Sequence, residues 1–311
     1  MKPELSIVIP VYNEMEVLPL CYERVTKVLH ELNSSYELIF IDDGSADESA
    51  NQLSDMVEHD ENVKVIMLSR NFGKEAALSA GIDFASGEAL IILDADLQDP
   101  PELIPDMIKV WKEKNVDTVL MKRSGRAGES HTKKKSAYWF YRILNKLSDF
   151  HIPEDVGDFR LMNRKTINAL KKLPERNRYT KGLFAWVGME SYIMEYQRDP
   201  RVAGEIKQKY SSLFYLAFEG ITSFSSQPLR LSTYLGITAA LFGFFFGVFI
   251  VLKAVFLGDA VQGYPSMIAI ITFLSGVQLF SIGVMGEYVG KTYIESKSRP
   301  IYLVKKLLTK K

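Results

Sequence analysis

The 311-residue sequence has a single cysteine, Cys21, and no excess of either charge, with 38 Lys plus Arg against 38 Asp plus Glu. One thiol cannot close an internal disulfide, which makes a reducing compartment the simpler expectation and Cys21 a small core residue. Balanced charge removes the electrostatic argument for nucleic-acid binding, so no nucleic-acid partner is expected. The apolar run behind Met1-Lys2-Pro3-Glu4 is only about six residues, shorter than a signal-peptide core, and the first domain is expected to stay where it is made. No G-x-G-x-x-G follows that run, which sets aside a nicotinamide-dependent oxidoreductase.

Charge is also missing from two long stretches, residues 231–252 and 260–286. Each is close to the roughly 20 apolar residues that cross a bilayer. Tyr264 and Pro265 stand near the start of the second stretch and Tyr288 just beyond it, where interfacial aromatics are expected. Two buried helices of a soluble core fit two such runs, separated by a short segment, less well. Lys207, Lys209 and Arg230 precede the first span, and Lys291, Lys297, Arg299, Lys305, Lys306, Lys310 and Lys311 follow the second. The connecting loop has only Lys253 and Asp259. Positive flanks stay inside, so the first domain and both termini are expected in the cytoplasm and loop 258–264 on the far side. The apolar segment 211–226 reads either as an interfacial helix or as one packed on the first domain. The expected division is a soluble domain over 1–210, a juxtamembrane amphipathic segment over 211–229, two membrane helices within 230–290 (231–256 and 264–288), and a basic tail over 291–311.

In the first domain, apolar runs at 5–10, 37–41, 63–68, 89–93 and 118–121 are bounded by turn residues and suit buried strands. Helical patterns at 16–32, 45–58, 74–85 and 101–114 lie between them. Strand alternating with helix predicts an α/β fold with a mainly parallel, Rossmann-like sheet, whose ligands bind beyond the carboxyl ends of the strands. Polar clusters follow the first four runs: Tyr12-Asn13-Glu14, Asp42-Asp43-Gly44-Ser45, Arg70 to Lys74, and Asp94-Ala95-Asp96-Leu97-Gln98-Asp99. Asp94 and Asp96, two apart on extended chain, can face one ligand, and hard oxygens suit Mg2+ or Mn2+. Asp99, before Pro100 and Pro101, also reads as a cap for the next helix.

Ile7-Val-Ile-Pro-Val-Tyr-Asn-Glu14, Asp42-Asp-Gly-Ser45 and Asp94-Ala-Asp96 together resemble family 2 glycosyltransferases with the GT-A fold. Ser69-Arg-Asn-Phe-Gly-Lys74, Asp94-Ala-Asp-Leu-Gln-Asp-Pro-Pro101, Gly157-Asp-Phe-Arg160 and the hairpin ending near Gly286-Glu-Tyr288 narrow the resemblance. They point to the bacterial polyprenyl-phosphate glycosyltransferases, relatives of dolichol-phosphate mannose synthase.

The resemblance implies that Pro10, Tyr12, Glu14 and Asp43 cup the nucleotide, with Asp94 and Ala95 near the sugar or ribose. Lys74 would approach the diphosphate, and Asp96 and Gln98 would hold the metal. Asp158 would position or deprotonate the acceptor. Arg123, Arg160 and Arg198 would clamp phosphate, with Arg126 and Arg201 as further candidates, while Lys133 to Lys135 read as a solvated or lipid-facing patch.

The implied reaction is inverting transfer of a single sugar, glucose from UDP-glucose as the first choice, to undecaprenyl phosphate at the bacterial inner membrane. Mannose, N-acetylglucosamine and aminoarabinose donors stay open. No Q-x-x-R-W motif of the processive relatives is present. A homo-oligomer through the membrane helices, where Gly236, Gly243 and Gly247 allow close contact, and a partner flippase are also implied. Two alternatives stand beside this reading: a polymer or protein acceptor, and a non-catalytic nucleotide-sugar-binding partner of a flippase.

Overall fold

The computed structural model describes residues 2–32, 34–124, 142, 145, 150–176, 178–199, 222–223, 225–257 and 263–310. Arg126, Lys133 to Lys135, Arg201, Lys207, Lys209, most of segment 211–226 and loop residues 258–262 lie outside the described residues. The strands are β1 (Leu5–Val11), β2 (Tyr36–Asp42), β3 (Val63–Leu68), β4 (Ala89–Ile92), β5 (Thr118–Arg123), β6 (Val156–Asn163), β7 (Ser191–Tyr196) and β8 (Val304–Thr309). The helices are α1 (Leu18–Glu31), α2 (Ser49–His59), α3 (Lys74–Phe84), α4 (Ile104–Lys114), α5 (Arg164–Leu170), α6 (Thr180–Trp186), α7 (Gln227–Leu257) and α8 (Tyr264–Ser296).

All eight strands join one sheet in the order β7-β5-β6-β4-β1-β2-β3-β8. The expected parallel core is present as β3-β2-β1-β4. The sheet as a whole is mixed, because β6 runs antiparallel to both β4 and β5, and β8 antiparallel to β3. The fifth run, 118–121, therefore does not pair with the fourth: β6 sits between them and carries Gly157-Asp158-Phe159-Arg160 into the middle of the sheet.

Alternation along each strand feeds two cores. Ile7 and Ile9 of β1 pack with Leu18, Cys21 and Val25 of α1, Leu53 of α2 and Met107 of α4 on one face. Val8 packs with Ala77 and Leu78 of α3, Ile167 of α5 and Leu183 of α6 on the other. The buried positions of α1, Leu18, Cys21, Val25, Val28 and Leu29, recur at three- and four-residue spacing, which places one stripe against the sheet.

Helices α7 and α8 pack on each other. Their apolar spans are Gln227–Ile250 and Ala269–Ser296, and only 6% and 0% of the most apolar stretch of each is buried inside the protein. That exposure separates them from core helices of a soluble domain. They are long and apolar enough to cross a membrane.

The end of α8 is fastened to the first domain. Glu295 accepts a hydrogen bond from the Arg176 amide (2.7 Å), Arg176 Nε donates to the Arg299 carbonyl (2.7 Å), and Tyr302 Oη donates to Asp83 (2.8 Å). The following segment, expected as a basic tail, contains β8. Leu308 packs on the core while Lys305 and Lys306 face out, so a half-buried edge strand was hidden by its lysines.

Candidate active site

The parallel strands β1, β2 and β4 end on the same edge of the sheet, and side chains stitch their loops together. Asn13, at φ 54°, has its amide bonded to Ser45 Oγ (3.0 Å), and its own Oδ1 accepts the Ala46 amide (2.8 Å). The Glu14 amide donates to Ser49 Oγ (3.1 Å), and Asp42 Oδ1 accepts the Ser45 amide (3.0 Å). Pro10 and Glu14 are half-buried and Tyr12 is exposed, so all three stand at the rim of this edge.

Asp43 is buried and fully engaged. Its two oxygens accept the amides of Phe72 (2.8 Å) and Gly73 (2.9 Å), which fixes the loop leading to Lys74. Burial raises its pKa against the effect of those bonds. A Cβ at Gly44, at φ +69°, would lie 2.5 Å from the Arg70 carbonyl carbon, so only glycine lets the β2 and β3 loops approach this closely.

Lys74, the first residue of α3, reaches across to β4 and β6. Its Nζ lies 2.7 Å from Asp94 Oδ1 and 2.7 Å from Asp158 Oδ2. The last β4–β6 pair is Ile92 opposite Arg160; carried two residues further, that antiparallel register sets Asp94 opposite Asp158. Burial works against the Lys74 ammonium, but Asp94 and Asp158 outweigh it and hold its pKa above the ordinary lysine range. Burial likewise pushes Asp158 up, yet Lys74 and Lys181 hold it well below the usual carboxylate range. A carboxylate so stabilised is ionised and weakly basic, which suits orientation better than proton abstraction. The Lys74 side chain remains 44% exposed, so the bridge counts here as geometry rather than as a large stability term.

Beyond β4, Ala95 and Asp96 are buried, Gln98 is half-buried, and Leu97 takes φ 55°. A left-handed leucine is uncommon and holds the Asp94-to-Asp99 loop in a tight turn. Asp96 Oδ1 accepts the Gln98 amide (3.2 Å), which brings the two candidate metal ligands together. Among the described residues no three His, Cys, Asp or Glu side chains form a metal cage. A hard cation held by one or two protein oxygens and otherwise by a diphosphate needs no such cage, and Asp96 with Gln98 fits that donor set.

The three candidate arginines differ in setting. Arg160 is buried: Nη2 donates to the Gly157 carbonyl (2.6 Å), the guanidinium stacks 3.9 Å from the Phe184 ring centroid, and burial lowers its pKa to about 10. It braces β6 beside Asp158 and is 4% exposed, with its Nε left without a partner. Arg123, at the end of β5, and Arg198, beyond β7, are half-buried around Asp99.

Asp99 does not cap the next helix; the turn at Pro101 has no side-chain cap. Its carboxylate accepts Tyr196 Oη (2.5 Å) and lies 3.4 Å from Arg198 Nε. The sequence reading missed Tyr196, which follows no motif, and Glu75, which sits beside Lys74. Glu75 accepts the Thr180 amide (3.2 Å), and burial together with Asp158 raises its pKa to about 7.

Comparison with known proteins gives these residues a context. The profile of Glycosyl transferase family 2 matches residues 6–170, and that of the GtrB C-terminal hairpin matches residues 227–292. The chain is 45% identical over 304 residues to a prophage bactoprenol glucosyl transferase homolog of Escherichia coli K12, covering 98% of this chain and 99% of the relative. It is 46% identical over 302 residues to the bactoprenol glucosyl transferase of Shigella phage SfX, covering 97% and 99%. A solved structure of glucosyl-3-phosphoglycerate synthase from Mycobacterium tuberculosis, with Mn2+, UDP-glucose and phosphoglyceric acid, superposes with a TM-score of 0.50. At 15% identity, over 71% of this chain and 78% of that one, it is a likeness of fold.

Proposed function

The chain belongs to glycosyl transferase family 2, and from that premise we propose that it transfers one hexose from a nucleotide-sugar to a polyprenyl phosphate at the membrane. The supporting observation is the Lys74 bridge, which joins Asp94 to Asp158; in this reading the first belongs to the nucleotide-sugar and the second to the acceptor. Relatives over nearly the whole length that are named bactoprenol glucosyl transferases favour a polyprenyl acceptor and glucose, hence UDP-glucose as first donor.

In this reading Pro10, Tyr12 and Glu14 border the base and ribose, and Ala95 lies against the sugar with Asp94. Asp43 acts through the loop it holds. Asp96 and Gln98 would hold Mg2+ or Mn2+; such an ion neutralises the charge of a departing diphosphate. Lys74 exchanges its carboxylate contacts for diphosphate oxygens as charge develops there.

Asp158 orients the acceptor phosphate, which needs no strong base because its second pKa is near 6. An oxygen of that phosphate attacks the anomeric carbon from the face opposite the diphosphate; the bond from that carbon to the diphosphate breaks, the nucleoside diphosphate leaves with the electron pair, and the centre inverts. Arg123 and Arg198 bind anionic oxygens of acceptor or product.

The hairpin holds the enzyme where its acceptor is, so that orientation replaces a three-dimensional encounter. β8 and β3 share a sheet, which supports a hairpin whose two crossings return the chain to its starting side. The positive flanks favour the cytoplasm as that side.

The test is incubation of purified full-length protein with undecaprenyl phosphate, UDP-glucose and Mg2+. Glycolipid should form, and Asp96→Asn should abolish it. No glycolipid with any common nucleotide-sugar would overturn the proposal, and label on a non-lipid acceptor alone would replace the acceptor assignment.

A further inference from the structure

We propose that Asp99 and Tyr196 form a buried pair that aims Arg123 and Arg198 at a phosphate, making both of them positioning residues; the claim that this is the acceptor phosphate rests on the function proposed above. The four residues come from three places in the fold: Asp99 from the loop after β4, Arg123 from the end of β5, and Tyr196 and Arg198 from the end of β7 and just beyond it. Register brings two of them together, since Arg123 is the partner of Tyr196 in the β5–β7 pair.

Asp99 and Tyr196 are 2% and 5% exposed, and the Tyr196 hydroxyl donates to Asp99 at 2.5 Å. Arg198 Nε approaches the same carboxylate at 3.4 Å without making a hydrogen bond, and the Nε atoms of Arg123 and Arg198 are both buried without a partner. Arg198 thus meets Asp99 directly, while Arg123 is held by Tyr196 and feels Asp99 and Asp94 at longer range. The two unused donors fit an anion with several oxygens, which arginine pairs bind bidentately.

The backbone ties this cluster to the nucleotide-sugar side. The Asp199 amide donates to the Gln98 carbonyl (3.0 Å), and Arg24 bridges Asp199 (3.2 Å) and Glu102 (2.6 Å). The segment behind β7 is thereby bolted onto the loop that carries Asp94 and Asp96, so the arginines and the metal ligands keep one spacing. Burying Asp99 costs free energy that the Tyr196 bond and the nearby guanidinium groups offset, an expense with no structural return if a helix cap were its only task.

Tyr196→Phe and Asp99→Asn in the full-length enzyme test this. Phenylalanine keeps the ring packed edge-on to Phe159, whose centroid is 5.8 Å away, so folding should persist and the thermal midpoint verifies it. Each variant should raise KM for polyprenyl phosphate about tenfold, the value of one charge-assisted hydrogen bond, with kcat and KM for UDP-glucose within about twofold. The double variant should be no worse than the weaker single one, because both act through the same arginines.

A rise confined to KM for the nucleotide-sugar would keep the positioning role and overturn the acceptor assignment. Unchanged KM for both substrates, with or without a lower midpoint, would overturn the positioning role. Should the unmodified protein turn over no donor, direct binding of undecaprenyl phosphate and of UDP to the same variants gives the same arms, separating this inference from the proposed function.

Discussion

Asp94 and Asp158 face each other across the continued β4–β6 register and share one ammonium, that of Lys74, at 2.7 Å on each side. Two carboxylates at facing positions of adjacent strands repel, so this part of the sheet depends on a cation between them. Under the proposed function the same cation meets the diphosphate, giving up its carboxylate contacts as charge develops there.

Lys74→Met should therefore lower kcat by about 100- to 1000-fold, the usual cost of removing a group aimed at developing charge. Lys74→Arg should recover part of the loss, because charge is kept and reach is not. Steady-state glycolipid formation measures both.

The pH dependence of stability reports Asp158. Burial raises its pKa, but Lys74 and Lys181 win and the folded value lies below the ordinary one. Its contribution is then complete above the unfolded carboxylate pKa of about 3.9 and is lost as pH falls through the lower folded value. Thermal midpoints of Asp158→Asn should fall less steeply below about pH 4 than those of the unmodified protein. Between pH 6 and 8 the rate should instead follow the second ionisation of the acceptor phosphate, near 6.

Glu75 has the opposite sign. Burial, then Asp158, raises it to about 7, so its contribution is complete below the unfolded carboxyl pKa and is lost as pH rises through about 7. Glu75→Gln, which can still accept the Thr180 amide, should stabilise the protein by about 1 to 3 kcal/mol at alkaline pH and change little in mild acid. Denaturant titrations at both pH values check this.

Removal of Val304–Thr309 should expose the β3 edge and lower the thermal midpoint by several degrees, roughly what 1 to 2 kcal/mol is worth at this size. Association should increase, since an unpaired edge is a template for other chains. Light scattering with a thermal scan distinguishes the two effects.

Much of this was legible in the residues themselves. Apolar runs at 5–10, 37–41, 63–68 and 89–93 became β1 to β4, because burial on both faces leaves a continuous apolar signal in local sequence. The two uncharged stretches became α7 and α8 for an equally local reason, the length of apolar helix a bilayer demands. The candidate residues Lys74, Asp94 and Asp158 were also legible, each in its own motif.

Their meeting was not. Lys74 precedes Asp94 by 20 residues and Asp158 by 84, and only the insertion of β6 between β4 and β5 brings the three together. The same holds for Arg160, which the strand turns inward onto Phe184, for Asp99, whose partners Tyr196 and Arg198 lie nearly a hundred residues away, and for β8, whose lysines hid an edge strand. Periodicity and length are local quantities that a chain carries along its sequence. Which strand neighbours which, and therefore which charges must share a cation, is decided by pairing across the sheet.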